Sequence, residues 1–238
     1  MPSLWRVGRG MKIFLAESGG LWGSYIKEKQ LFKDTYILRS FYYMNDFVES
    51  IIPECKMFLL DSGAFTFLNN SKSDINWKEY VDKYADFINK NNIEYFFELD
   101  IDSIVGYEKV KEYRNYLEAK TGKKCIPVWH KSRGKEEFLR LCDEYKYIAI
   151  GGIVTKEIRP CDYKFLNYFI KEAHKRNCKI HGLGFTNIKN IFIYKFDTVD
   201  STAWTTGNRF GSTIYFFNGQ TLVKTNKPNT KKLKTIRH

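Results

Sequence analysis

Eight short runs of apolar, β-branched and aromatic residues recur along the chain, separated by segments of helical period. The runs are KIFLA (12–16), YILRSF (36–41), MFLLD (57–61), YFFELD (95–100), CIPVWH (125–130), YIAIGG (147–152), KIHGLG (179–184) and FDTVD (196–200). Each has strand length and is bounded by polar or turn-forming residues. Strands that alternate with helices pair in parallel, because a parallel neighbour is reached only through a long crossover. Eight such units close most naturally into an α/β (β/α)8 TIM barrel, and an open doubly wound sheet is the alternative. No Pro/Gly-rich linker, shift of composition or repeat divides the chain. The expectation is one domain over 1–238, with a basic C-terminal tail from about 226 to 238.

Two of the intervening segments have a clear apolar face. In NWKEYVDKYADFINKNN, Trp77, Tyr80, Val81, Tyr84 and Ile88 share one side of a helix. In YKFLNYFIKEAHKRN the corresponding set is Phe165, Leu166, Phe169, Ile170 and Ala173. The stretches 106–121 and 135–145 read similarly, while those near 20–33 and 44–54 are shorter and carry weaker periodicity.

Composition narrows the class. No apolar run approaches the length of a bilayer span, and the first apolar stretch is too short for a secretory signal. Met11, beside the first strand-like run, offers an alternative start. The cysteines, Cys55, Cys125, Cys142, Cys161 and Cys178, are odd in number and never form a CxxC or CxC pair. That argues against a disulfide framework or a zinc knuckle and for a reducing cytoplasm. A net charge of +12 favours a polyanionic partner, and an aromatic content of 17% suits base stacking.

Polar residues fall at the C-terminal ends of the predicted strands, where a barrel of this kind carries its active face. Asp61 ends the third strand, Asp100 and Asp102 the fourth and His130 the fifth. Gly151 and Gly152 end the sixth, Gly182 and Gly184 the seventh, and Asp200 the eighth. Taken singly, each has a structural reading: an aspartate as a helix cap, a glycine as a tight turn, His130 as a satisfied core histidine, Trp129 and Trp204 as packing residues. Asp100, Asp102 and His130 could hold a divalent ion, although no HxH, HxxxH or cysteine cluster supports a metal site. No GxGxxG, GxxxxGK or GxSxG is present, so dinucleotide, P-loop and serine-nucleophile chemistry lack their motifs. Carboxylates on opposite sides of one barrel mouth suit displacement at an anomeric carbon. One attacks C1′ while the other, in a different environment, exchanges a proton near neutrality.

The segments LLDSGAF (59–65), FELDID (97–102), IAIGGIV (148–154), HGLGF (181–185) and FDTVDSTAW (196–204), in that order, resemble the signature segments of the tRNA-guanine transglycosylases. They look closer still to the short phage and bacterial 7-deazaguanine DNA transglycosylases of that superfamily. The resemblance covers roughly 57–211. It implies that Asp200 is the nucleophile that bonds to C1′, with Asp197 as its rival three residues earlier. Strand alternation points those two to opposite faces. Asp61 matches the acid/base aspartate, Phe65 the aromatic that stacks on the base, and Asp100 the carboxylate that pairs with the purine N–H edge. Gly151, Gly152 and Ile153 match the backbone lining of the base pocket. His130 stands where the tRNA enzymes carry a base-reading glutamine, and Arg209 matches a phosphate-binding role. The zinc-site cysteines of the tRNA enzymes have no counterpart after Cys178.

The resemblance therefore implies a DNA-guanine transglycosylase that exchanges guanine for a free 7-deazaguanine base through a covalent aspartyl-glycosyl intermediate, with no cofactor and no membrane. The expected partner is DNA, held through phosphates by the basic surface, with the target base out of the stack. Three alternatives stand beside it: a tRNA-guanine transglycosylase, a nucleoside hydrolase or base-releasing glycosidase, and a non-catalytic nucleic-acid-binding barrel.

Overall fold

All eight apolar runs form strands. The structure, a computed structural model, describes residues 10–17, 32–33, 35–63, 66, 75–185, 193–202, 213–217 and 222–226. The strands are β1 (Lys12–Glu17), β2 (Tyr36–Ser40), β3 (Met57–Asp61), β4 (Tyr95–Phe96), β5 (Val128–Trp129), β6 (Tyr147–Ile150), β7 (Lys179–Gly182) and β8 (Thr198–Ser201). Every pairing is parallel, in the order β4-β3-β2-β1-β8-β7-β6-β5. The two ends of that row meet through a parallel bridge between Phe97 and Ile126, with Ile126 N–H bonded to Phe96 O at 2.8 Å and Glu98 N–H to Ile126 O at 3.1 Å. The sheet is a (β/α)8 barrel.

The seam between β4 and β5 is narrow, and both strands are shorter than the runs 95–100 and 125–130 suggest. Pro127 has no N–H to offer the ladder. The N–H of Val128 goes instead to the Glu98 carboxylate at 2.8 Å.

Side-chain alternation sorts the strands into two faces. Phe14, Leu38, Leu59, Phe97, Val128 and Ala149 fill the barrel interior. Leu60, Ile148, Ile180 and Val199 point outward into the layers beneath the helices. These helices are α1 (Asp46–Ile51), α2 (Trp77–Lys90), α3 (Asp102–Val105), α4 (Tyr107–Thr121), α5 (Gly134–Glu144) and α6 (Leu166–Lys175). Helix α2 starts where the Asn76 side chain accepts from Glu79 N–H at 3.2 Å. It buries Trp77, Val81, Tyr84, Ala85 and Ile88, the expected face with Tyr80 at its margin. Helix α4 stops at Gly122, which adopts φ 65°.

In α6 the buried residues are Leu166, Ile170 and Ala173. Phe165 departs from the expected face: it ends a 3-10 turn over Pro160–Phe165, outside the α-helical period, and is 55% exposed. A further pair of strands, β9 (Thr213–Phe217) and β10 (Leu222–Asn226), absent from the eight expected runs, forms an antiparallel hairpin. The Asn218-Gly219 step between them is a turn signal legible in the sequence. Among the described residues no helix is long and apolar enough to cross a membrane.

Candidate active site

The C-terminal ends of the strands converge on one mouth. Asp61 closes β3 on the interior side, two residues after Leu59, and Asp200 lies in β8 on the interior side, next to outward-facing Val199. Asp197, the rival three residues earlier, is turned away from the mouth. Its carboxylate accepts from Ile180 N–H at 2.8 Å and pairs with His174 of α6 at 2.9 Å.

Asp200 is held through one oxygen. Its Oδ1 accepts the Gly184 N–H at 2.7 Å and faces His181 Nε2 at 3.1 Å. No hydrogen bond from the described residues engages Oδ2. Gly184 can place its N–H there because it adopts φ +66°, and a Cβ at that position would meet Val154 Cγ2 at 2.3 Å. His181 is fully buried. Its Nδ1 lies 2.7 Å from Thr198 Oγ1, which lies 2.5 Å from the Tyr147 hydroxyl. An ionised carboxylate only accepts, so the network assigns a proton to His181 Nε2. Nδ1 then accepts from Thr198, and the Thr198 oxygen from Tyr147. Three donors in series point up the barrel axis at Asp200.

Asp61 sits in a contrasting environment. Burial pushes its pKa up to about 7, and the charges of Asp100 and Asp200 push in the same direction against the opposing Gly63 and Ser62 N–H groups. The Gly63 N–H bonds to Asp61 Oδ2 at 3.1 Å. Ser40, paired in register with Asp61 on the neighbouring strand, adds a buried hydroxyl that has no partner among the described residues.

Asp100 and His130 form a third group. Asp100 Oδ1 lies 2.6 Å from His130 Nε2, and His130 Nδ1 lies 3.0 Å from Glu157 Oε2. Burial alone would lower the histidine pKa, but its hydrogen bonds to Asp100 and Glu157 and the Asp100 charge prevail and bring it to about 9. The ring is an imidazolium between two carboxylates at neutral pH. Both of its nitrogens are therefore taken by the protein, which leaves it to orient Asp100 rather than read a base through a free ring nitrogen. Asp100 keeps Oδ2 clear of hydrogen bonds from the described residues.

The glycine pair after β6 is explained by the same group. A Cβ on Gly151 would come 2.7 Å from His130 Cε1, and one on Gly152, at φ +80°, 2.7 Å from Glu157 Oε2. The room left by the two glycines is filled by the histidine–glutamate pair. Ile153, next along, packs its side chain against the outer core and gives its carbonyl to Lys156 N–H at 3.3 Å.

Asp102 belongs to a different network. Both of its oxygens bind Arg133, at 2.7 and 2.5 Å, and Arg133 also reaches Glu98 at 3.0 Å. Glu98, with no exposed surface, takes Arg114 of α4 at 2.6 Å. This arrangement removes Asp102 from the set considered for a metal ion. No cluster of three or more His, Cys, Asp or Glu side chains suited to a metal occurs among the described residues. Phe65 and Arg209 lie outside the described residues, as does Trp204. The outward-facing Trp129 is buried, with its indole N–H on Gly134 O at 2.8 Å.

Sequence reasoning singled out Asp61, Asp100, His130 and Asp200, and the structure brings all four to one mouth. It missed Ser40, Glu157, His181, Thr198 and Tyr147. His181 had a legible signal: in KIHGLG a lone polar residue interrupts an apolar strand at an inward position.

No protein-family model matches the chain, and no curated protein matches its sequence. Solved structures share its fold. A candidate copper homeostasis protein CutC from Streptococcus agalactiae superposes with a TM-score of 0.50 at 11% identity, over 81% of this chain and 98% of that one. A candidate fructose-1,6-biphosphate aldolase from Coccidioides immitis gives a TM-score of 0.51 at 13% identity, over 86% of this chain and 80% of that one. At such identities the likeness speaks for the barrel alone, since one barrel hosts many chemistries.

Proposed function

We propose that this barrel is a DNA-guanine transglycosylase. The observation that carries the reading is the contrast between two carboxylates in one mouth: Asp200 held by a backbone N–H and a buried histidine, and Asp61 shifted to titrate near 7. A base exchange at C1′ needs that division of labour.

In the first half-reaction the Asp200 Oδ2 attacks C1′ of the target deoxyribose. The C1′–N9 bond breaks, its electron pair leaves on guanine, and Asp61 supplies the proton that makes guanine neutral. In the second half a 7-deazaguanine derivative gives its ring N–H proton to the Asp61 carboxylate. The freed nitrogen attacks C1′ and the aspartyl ester leaves as carboxylate. Bonds and protons balance with no redox cofactor. Asp100 is placed to accept from the N–H edge of either base, its orientation set by His130. The half-buried imidazolium compensates part of the charge of three clustered aspartates. The choice of DNA over tRNA rests on the sequence resemblance alone.

The test is incubation with labelled guanine and either single-stranded DNA or unmodified tRNA, alongside Asp200→Ala. Label entering DNA only with Asp200 intact supports the reading. Label entering tRNA alone keeps the chemistry and changes the partner. Release of free base with no incorporation identifies a glycosidase and overturns the exchange.

A further inference from the structure

A second feature lies just outside the mouth. Between the segment Lys131–Arg133 with α5 and the segment Pro160–Phe165 with α6 there is an apolar cleft of about 400 Å³. Its inner wall is built from the buried Trp129 and Leu166 together with Phe169, whose ring lies 4.7 Å from that of Trp129. Its rim is aromatic and exposed: Phe165 at 55% and Tyr168 at 39%.

A 3-10 turn with its terminal phenylalanine turned to solvent needs a reason, because burying that ring would be favourable. The charges beside the rim supply one. Lys135 Nζ stands 4.9 Å from the Tyr168 ring centre and Lys164 Nζ 5.1 Å from that of Phe165. The acidic lining residue, Asp162, is engaged by Lys131 at 3.7 Å and Arg159 at 3.6 Å. The cleft therefore presents aromatic faces bordered by ammonium groups, on a chain of net charge +12. Flat π-faces beside cations suit a nucleobase attached to a phosphate. They suit an apolar peptide or a second copy of this basic chain less well.

The position is as informative as the chemistry. Trp129 and Lys131 flank His130 in the chain, and Ile158 of the cleft follows Glu157. The His130–Glu157 pair of the candidate active site is therefore one residue along the chain from the cleft lining on both of its segments, and the two sites are neighbours.

We infer that this cleft is a stacking site for an unpaired nucleotide of single-stranded DNA that flanks the target nucleotide, with Phe165 and Tyr168 taking the base and Lys135 and Lys164 the adjoining phosphates. This identification of the strand rests on the function proposed above, whereas the cleft itself is read directly through binding. It accounts for an enzyme that must hold its target out of the stack: the neighbouring base is given a replacement partner.

The experiment is fluorescence anisotropy of a labelled, short, mixed-sequence oligodeoxynucleotide, without any incoming base. The full chain is compared with Phe165→Ala/Tyr168→Ala and with Phe165→Trp/Tyr168→Trp. Both sites are solvent-exposed, and thermal melting checks that the variants remain folded. The alanine pair weakens single-strand binding roughly ten- to a hundredfold, the tryptophan pair restores it, and duplex binding changes little. Unchanged affinity in the alanine pair overturns the inference. So does wild-type protein that binds no single strand, or one that sediments as a dimer dissociated by the alanine pair. Binding that depends on the aromatics in a protein that exchanges no base leaves the cleft standing and removes the function. Base exchange with affinity indifferent to the aromatics does the reverse.

Discussion

His181 and Asp200 meet at 3.1 Å, and the histidine is the upper end of a buried line of hydrogen bonds that runs through Thr198 to Tyr147. Each member is a strand residue facing the barrel interior, so the line is fixed by the sheet rather than by loops. Its direction makes Nε2 a donor to the carboxylate and leaves the other carboxylate oxygen for chemistry. Replacing His181 by alanine removes that donor and leaves the Thr198 hydroxyl without its acceptor. On the proposed mechanism, the expected result is a fall of roughly 10- to 100-fold in formation of the covalent adduct. His181→Gln, which can restore an N–H at a similar reach, recovers part of it. Quenched-flow trapping of the adduct checks the rate, and an Ala variant as fast as wild type would remove His181 from the mechanism.

The two aspartates predict different losses. On the proposed mechanism, Asp200→Asn abolishes the covalent adduct, whereas Asp61→Asn keeps the proposed DNA binding and loses the ionisation near 7 from its pH profile. Where departure of guanine limits the rate, wild-type exchange falls as pH rises through about 7, because Asp61 then lacks its proton. A wild-type profile flat from pH 6 to 8 would argue against the acid role.

Asp61 also links pH to stability. Its folded pKa is raised above the ordinary carboxylate value of 3.8 to about 7. The stability this group contributes is therefore present below pH 3.8 and is lost as pH rises through 7. A neutral amide at the same position would carry no such penalty. Asp61→Asn is expected to melt above wild type at pH 8 by on the order of a few degrees, with the difference narrowing towards pH 4. Differential scanning calorimetry at the two pH values measures it.

Gly151 seats His130. A methyl group added there would lie 2.7 Å from His130 Cε1 and 2.9 Å from Val128 Cγ1, closer than packed carbon atoms approach. Gly151→Ala is expected to cost roughly 1–3 kcal/mol. It should also displace the imidazolium, so that its NMR titration moves down from about 9 towards the ordinary histidine range. An unmoved titration with full stability would show that the wall has slack.

Glu98 is the counter-charge for two buried arginines, Arg114 at 2.6 Å and Arg133 at 3.0 Å. Glu98→Gln keeps the volume and removes the charge, at a cost on the order of 3–5 kcal/mol. Replacing the exposed Glu79, paired with Lys83 at 2.7 Å across one turn, should cost well under about 1 kcal/mol. Urea titrations of the two variants compare them directly.

The eight-strand alternation was legible because apolar period reports burial locally: each strand of a buried parallel sheet must be apolar, whatever its neighbours are. Asp61 and Asp200 stood out for the same reason, as carboxylates at the ends of runs that otherwise reject charge. Phe165 misled because periodicity cannot tell an α-helix from the 3-10 turn that precedes it. His130 was placed correctly at the mouth, but its condition depends on Glu157, twenty-seven residues away in sequence.

By itself the sequence determined the alternation of eight strands with helices and the set of acids at the strand ends, since these follow from local patterns of burial and polarity. That the sheet closes into a barrel was decided by the pairing of β4 with β5. Tertiary structure alone decided which of those acids is held ionisable near neutrality, which histidine stands behind Asp200, and that Asp102 serves an arginine. Those outcomes depend on which side chains from distant strands come within hydrogen-bond reach when the ring closes. Burial, charge and donor geometry at a site are properties of that convergence, and no single segment carries them.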